Sequence, residues 1–290
     1  MVDLSSLFEA RYGTTSSGGV GAAPPAVPSA ANSTVETLLQ HRSVRNFLPE
    51  PLTPGTLELL TAVAQSAATS SNLQTWSAVA VTTPFLRSQA ATLCGDQAFI
   101  HAAPLFLVFC ADLARLTATC AQHDTPGTGL KFLEMYTMAT IDASLAAQNV
   151  CVAAESLGLG TCYVGAARNR PRELASLLSL PPRVIALFGL SVGRPDPVAW
   201  PATVKPRLAQ GEVVHRDTWG QVSGDRAQRQ EQVANLAAYD EVLAGFNAKQ
   251  GRGEAPVWTY RSAHRIATVE SLHGRDIFRE ILEERGFELR

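Results

Sequence analysis

His41-Arg42-Ser43-Val44-Arg45 is the stretch on which the reading of the chain turns. It closes a short amphipathic run, Thr34 to Gln40, in which Val35, Leu38 and Leu39 share one helical face. Two guanidiniums, an imidazole and a hydroxyl in so short a span make a poor core. They suit a phosphate group, because a guanidinium fork matches two phosphate oxygens and a hydroxyl adds a further donor. Val44 is free to point inward while Arg42, Ser43 and Arg45 stay available. The simpler reading is a solvated basic helix end that complements the helix dipole.

A second basic cluster, Lys205-Pro206-Arg207-Leu208, follows Gly193-Arg194-Pro195 and a proline-rich turn. Its rigid proline splays the two cations and reduces the entropy lost when they bind an anion. The two clusters can meet on one anion only through the fold.

The chain has 290 residues, a formal net charge of −2 and 46% hydrophobic residues, enough for one large domain or two small ones. A near-neutral balance argues against a general nucleic-acid or anionic-membrane binder. No run approaches the roughly 18 apolar residues of a membrane span. Met1 to Leu7 lacks a secretory n-region and h-region, so a cytoplasmic protein is expected. Cys94, Cys110, Cys120, Cys151 and Cys162 form no Cys-x-x-Cys pair, and the histidines are scattered, so neither a disulfide framework nor a metal site is expected. Ser66, Ser70 and Ser71 lie in no Gly-x-Ser-x-Gly elbow, which leaves a serine hydrolase without support.

Along the chain, a short helix over Leu4 to Tyr12 precedes Gly13 to Asn32, whose Gly, Ala, Pro and Ser bury little and predict a segment that is either mobile or draped over the surface. Thr53 and Pro54 offer N-cap and N1 residues for a helix over Gly55 to Ala68. The polar exit Thr69-Ser70-Ser71-Asn72-Leu73-Gln74 either makes turn bonds or hydrogen-bonds a planar ligand edge. Trp76 to Thr82 reads as a strand and Pro84 to Leu93 as a helix, and the apolar run Leu105 to Ala111 reads as a strand covered on both faces. Gln97 lies in the loop before it.

Leu130 to Leu157 predicts one long helix of about 42 Å with apolar residues on more than one face. Ala139, Ala143, Ala146 and Ala147 would let a second helix approach closely, which points to a homodimer interface there. Thr161 to Ala167 reads as a short strand opening into a loop, where Gly165 either makes a turn or lets a backbone N–H approach a flat ligand. Pro171 to Leu178 predicts a helix and Val184 to Val192 a strand. Polar helices over 225–248, Trp258 to Thr268 and Ile277 to Glu284 form a tail with little core of its own.

The ordered set His-Arg-Ser-Val-Arg, Ser-Ser-Asn-Leu-Gln, Ala-Glu-Ser-Leu-Gly-Leu-Gly-Thr, Tyr-Val-Gly and Lys-Pro-Arg-Leu resembles the FMN-dependent nitroreductase superfamily. More narrowly, it resembles the oxygen-insensitive NADPH nitroreductase and flavin reductase branch, over about residues 34–290. The resemblance implies an α+β fold, a mixed β-sheet flanked by helices in an intertwined homodimer with FMN at the subunit interface. It divides the chain into a flexible extension over 1–33, an FMN-binding core over 34–220, and a helical segment over 221–290 wrapping the same domain. His41, Arg42, Ser43, Lys205 and Arg207 would hold the FMN phosphate, and Arg45 would approach the pyrimidine end of the ring. Thr69, Ser70, Ser71, Asn72 and Gln74 would come from the partner chain, Gln97 would contact the ring system, and Tyr163, Val164, Gly165 and Ala166 would line it.

No catalytic side chain is implied, because the flavin carries the hydride. NADPH or NADH would reduce FMN and depart, and a small-molecule oxidant such as a nitroaromatic, a quinone or free flavin would then take the hydride in a ping-pong cycle. Arg252 is the first candidate for NAD(P)H binding. Thr75 stands where many relatives carry proline. Other readings remain open: a reductive dehalogenase, an azoreductase-like quinone reductase or a flavin-destroying oxygenase on the same scaffold. A different class is a non-catalytic dimer that binds a phosphorylated ligand or nucleic acid through the two basic clusters.

Overall fold

The structure, a computed structural model, describes residues 4–13, 32–199, 202–219 and 226–290. In chain order the helices are α1 (Leu4–Tyr12), α2 (Ser33–Leu39), α3 (Thr56–Gln65), α4 (Pro84–Leu93), α5 (Ala98–Ala102), α6 (Ala114–Gln122), α7 (Leu133–Ser156), α8 (Pro171–Leu177), α9 (Arg226–Lys249), α10 (Trp258–Arg265) and α11 (Phe278–Glu284). The strands are β1 (Trp76–Val81), β2 (Leu105–Asp112), β3 (Gly160–Val164) and β4 (Val184–Gly193). Their contacts divide the chain into two compact units. One gathers Met1–Arg42 with Thr203–Leu272, the other Ser43–Ala202 with His273–Arg290. The end of the tail thus belongs with the sheet, whereas its longer helices cluster with the N-terminal segment. Most of the Gly- and Pro-rich stretch expected to be mobile or draped over the surface, 14–31, lies outside the described residues.

The larger unit is built on a sheet of order β1-β2-β4-β3. β2 is buried along its whole length, as its unbroken apolar run predicts for a strand covered on both faces. On one face Phe106, Val108, Cys110, Cys162, Val164 and Ala186 pack with residues of α4, α5 and α8. On the other, Leu107, Phe109 and Leu190 pack with Leu60 and Ala64 of α3 and with α7. Phe106 lies flat over β4 because Gly189 has no side chain; a Cβ there would sit 2.3 Å from the ring. Among the described residues the three strand pairs run antiparallel and parallel pairing is confined to an isolated Ser43–Thr161 bridge, to which the mixed character expected of the sheet reduces.

α7 is shorter than expected because its first turn is replaced by the 3-10 turn Thr128–Lys131. Its alanines correct the dimer expectation. Ala139, Ala143, Ala146 and Ala147 are fully buried within this chain, where their small side chains let α7 sit close to both the sheet and α3. The outward stripe is a different set, Leu133, Ile141 and Leu145, exposed by 51%, 52% and 43%. The start of α3 also departs from its expected cap: Gly55, at φ 85°, takes the N-cap position, and Thr53 contributes its carbonyl to the Thr56 amide at 3.1 Å. The C-terminal residues lock onto the unit through the Arg290 carbonyl, which accepts from the Leu133 amide, and through Arg285, which donates to the Leu180 and Val184 carbonyls.

In the smaller unit Gly13, the residue after α1, lies against α9, with Val242 3.0 Å from where its Cβ would stand. Tyr239 meets Trp258 edge-on at 5.9 Å, and Asp240 caps α10 by accepting the Thr259 amide at 3.0 Å and the Thr259 hydroxyl. No helix among the described residues is long and apolar enough to cross a membrane.

Candidate functional site

In the smaller unit Arg11 ties the backbone at the start of the first basic cluster, His41, to that of the second, Lys205 and Arg207. Arg11 of α1 is only 6% exposed. It donates from Nε to the Leu39 carbonyl (3.0 Å), from Nη2 to the His41 carbonyl (2.7 Å) and from Nη1 to the Lys205 carbonyl (3.1 Å). Its own carbonyl accepts the Arg207 amide at 2.7 Å. Pro206 is buried with its carbonyl held by the Tyr239 hydroxyl at 3.0 Å, while Lys205 and Arg207 on either side are exposed. The proline therefore splays its two cations outward, and Arg42 is exposed as well. The chemistry of this set, an imidazole, two guanidiniums and an ammonium on tethered backbones, fits a phosphate dianion.

In the larger unit a second group gathers at β3. Ser43 bridges to Thr161, and the buried Val44 donates its amide to the Thr161 carbonyl at 2.8 Å. Gly160 makes this approach possible, since a Cβ there would lie 2.7 Å from Val44. Arg45 is left exposed near Cys162; burial raises that thiol's pKa, and the guanidinium pulls it partly back. Near the end of β3 the Tyr163 hydroxyl donates to Gln148 at 3.4 Å, and the strand runs into the 3-10 turn Gly165–Arg168. Among the described residues beyond its chain neighbours, a Cβ on Gly165 would meet within 4 Å only the tip of Arg168, at 3.6 Å, which leaves room for the backbone to approach a flat ring. The loop bearing Gln97 closes on this turn, with Ala166 3.5 Å from a Cβ placed on Gly95. The Gln97 amide itself donates to the Cys94 carbonyl at 3.0 Å. Asn169 backs the turn and accepts from Arg275 at 2.9 and 2.7 Å.

The loop Thr69 to Gln74 lies elsewhere. Three of its residues, Ser71, Asn72 and Gln74, have left-handed backbones at φ 50°, 55° and 52°, which costs energy outside glycine. What holds them is Asp142, 1% exposed in the middle of α7: Oδ1 accepts the Ser70 amide at 3.1 Å, and Oδ2 accepts the amide and hydroxyl of Thr75 at 3.1 and 2.8 Å. Arg115 adds a bond to the Gln74 carbonyl at 2.9 Å. Thr69, Asn72, Gln74 and Arg115 border an open cleft of about 370 Å³ floored by Leu60, Leu107, Phe109 and Val150.

This loop feeds β1, at one edge of the sheet, whereas Ser43, Arg45 and the Tyr163 turn belong to β3, at the other. A row of rings spans the sheet between them. Trp76 lies 6.0 Å from Phe109, Phe109 lies 5.6 Å from Phe188, and Phe188 lies 5.5 Å from Tyr163. The strands of the larger unit thus keep these two sets of expected contacts apart. Arg252 sits in the smaller unit, in the turn after α9, with its amide bonded to the Asn247 carbonyl at 2.8 Å. Arg11, Arg115 and Asp142 were not singled out by the sequence. Only Asp142 carries a signal there, as the one charge within the apolar run Met138 to Ala147.

Cys94, Cys110, Cys151 and Cys162 give no ready nucleophile. Burial pushes the thiols of Cys94, Cys110 and Cys151 up to about 12.

Comparison with known proteins matches the sequence model described as Nitroreductase family over residues 38–194, and that of its C-terminal domain over 205–290. Among curated proteins, "FMN reductase (NADPH)" of Bacillus subtilis is 33% identical over 260 residues, 88% of this chain and 98% of that protein. "NADPH-flavin oxidoreductase" of Vibrio harveyi is 37% identical over 245 residues, 83% of this chain and 94% of its own. Among solved structures, B. megaterium NfrA1 superposes with a TM-score of 0.81 at 34% identity, covering 89% of this chain and all (100%) of its own. On sequence and on fold alike, the chain belongs to the nitroreductase family.

Proposed function

We propose that this chain is an FMN-dependent NAD(P)H oxidoreductase that reduces nitroaromatics, quinones or free flavin and works as a homodimer. The observation that carries the dimeric reading is the separation of the β1 loop from the β3 turn on opposite edges of one sheet. The loop's exposed amides cannot serve the same ring as its own Tyr163 turn, but they can serve that of a second copy. The exposed stripe Leu133, Ile141 and Leu145 on α7 supports the same pairing. The names of the B. subtilis and V. harveyi relatives support the donor and cofactor assignments.

When bound, FMN supplies reversible acceptance of two electrons, which links a nicotinamide donor to an oxidant. The chain's residues bind and orient. His41, Arg42, Ser43, Lys205 and Arg207 hold the phosphate. Arg45 sets a permanent positive charge against the pyrimidine end of the ring, where negative charge develops, without needing to give up a proton. Tyr163, Val164, Gly165 and Ala166 support the ring and Gln97 contacts its edge, while Thr69, Ser70, Ser71, Asn72 and Gln74 close it from the partner copy. Arg252 faces the 2′-phosphate of NADPH. The five cysteines form no disulfide and four of them are buried, which suits a reducing compartment, and the cytoplasm is the proposed location.

Purified protein is expected to be yellow and to bleach anaerobically on addition of NADPH. Arg45→Ala is expected to lose about tenfold in flavin affinity, or about 1.4 kcal/mol. Colourless protein that binds no added FMN would overturn the reading.

A further inference from the structure

We propose that Arg11 is a positioning residue for the phosphate end of the cofactor, which makes helix α1 a working part of the binding site. The inference rests on the reading of His41, Arg42, Lys205 and Arg207 as phosphate-holding cations. The sequence model of the family begins at residue 38, so α1 lies ahead of everything that model describes.

The partners of Arg11 are what assign the role. Its guanidinium bonds the backbone carbonyls of His41 and Lys205, and its carbonyl holds the backbone amide of Arg207. Each of these contacts falls on the main chain of a residue that the reading assigns to the phosphate, so Arg11 sets where those side chains begin without engaging them itself. Residues 202–209 have no helix or strand of their own, so their position depends on such tethers. Tyr239 fixes Pro206, and Arg11 fixes the residues on either side. Without Arg11, the two cationic segments would have to be ordered by the anion itself, and that ordering cost subtracts from affinity. A lysine cannot replace it. A guanidinium presents donors in a fixed planar fork that reaches three carbonyls at once, whereas an ammonium is a single mobile point.

The test compares two ligands that differ only by the phosphate. Full-length protein stripped of flavin is titrated with FMN and with riboflavin, following quenching of flavin fluorescence, for the native chain and for Arg11→Lys. The expected result is a loss of roughly tenfold in FMN affinity with riboflavin affinity changed less than twofold; tenfold is about 1.4 kcal/mol. Equal weakening of both ligands would mark Arg11 as a general structural residue and overturn the proposal. Unchanged affinity for both would do the same. If the native chain binds riboflavin as tightly as FMN, the phosphate reading of the four cations fails first, a result distinct from failure at Arg11. Circular dichroism establishes that the variant is folded, and Arg11→Gln, which keeps a polar side chain of similar reach, decides the matter should the lysine variant not fold.

Discussion

Asp142 takes both the amide and the hydroxyl of Thr75 on one carboxylate oxygen, at 3.1 and 2.8 Å. A proline at this position would stiffen the loop through its ring and could donate neither bond. Here the loop is held by a buried acid instead. Thr75→Val removes only the hydroxyl donation and is expected to cost about 1 kcal/mol. Asp142→Ala strands three donors in a buried site and is expected to cost about 3 kcal/mol. Urea unfolding followed by tryptophan emission measures both, and an Asp142→Ala midpoint equal to the native one would refute the clamp.

Ile141 and Leu145 point away from their own core, at 52% and 43% exposure. Replacing both with aspartate puts charge on that stripe and leaves the buried alanine face of α7 untouched. The expected outcome by analytical ultracentrifugation is a monomer with native helicity and without bound flavin. A double variant that stays dimeric would move the interface elsewhere.

Arg172 grips the C-terminal helix through Glu284, at 2.7 Å to each carboxylate oxygen, and through Glu280 at 2.9 Å. The hydrogen bond from Arg172 holds the Glu284 carboxyl below its ordinary pKa. A lowered folded pKa stabilises the fold above the carboxylate range, and that stabilisation is lost as the pH falls through the folded value. Glu284→Gln is therefore expected to lower Tm at neutral pH and to match the native chain well below the ordinary carboxylate pKa of about 4. A Tm difference independent of pH would argue against this ion pair.

Much of this was legible in the residues. Pro84 starts α4, and the unbroken apolar run from Leu105 shows that β2 is covered on both faces. The exposed cations around Pro206 followed from the stiffness of that ring. The supporting residues were not legible, because what they hold lies far away in sequence. Arg11 and Lys205 are 194 positions apart, and Ser70 and Asp142 are 72 apart, so no spacing rule connects them. The α7 alanines misled for a related reason. Small residues announce a close neighbour without saying whether it belongs to the same chain, and here it is the chain's own sheet and α3. At the start of α3, a left-handed glycine took the place that a threonine side chain could have filled.

The opposite margins of the sheet have a genetic consequence. Under the shared-site reading, a lesion at Arg45 silences a copy's own flavin, whereas a lesion at Asn72 or Gln74 silences its neighbour's. When two such alleles are expressed together, mixed pairs place both faults in one site and leave the other intact. Neither gene alone would support growth that depended on the enzyme, yet the two together would, an interallelic rescue that follows from which strand stands at which border.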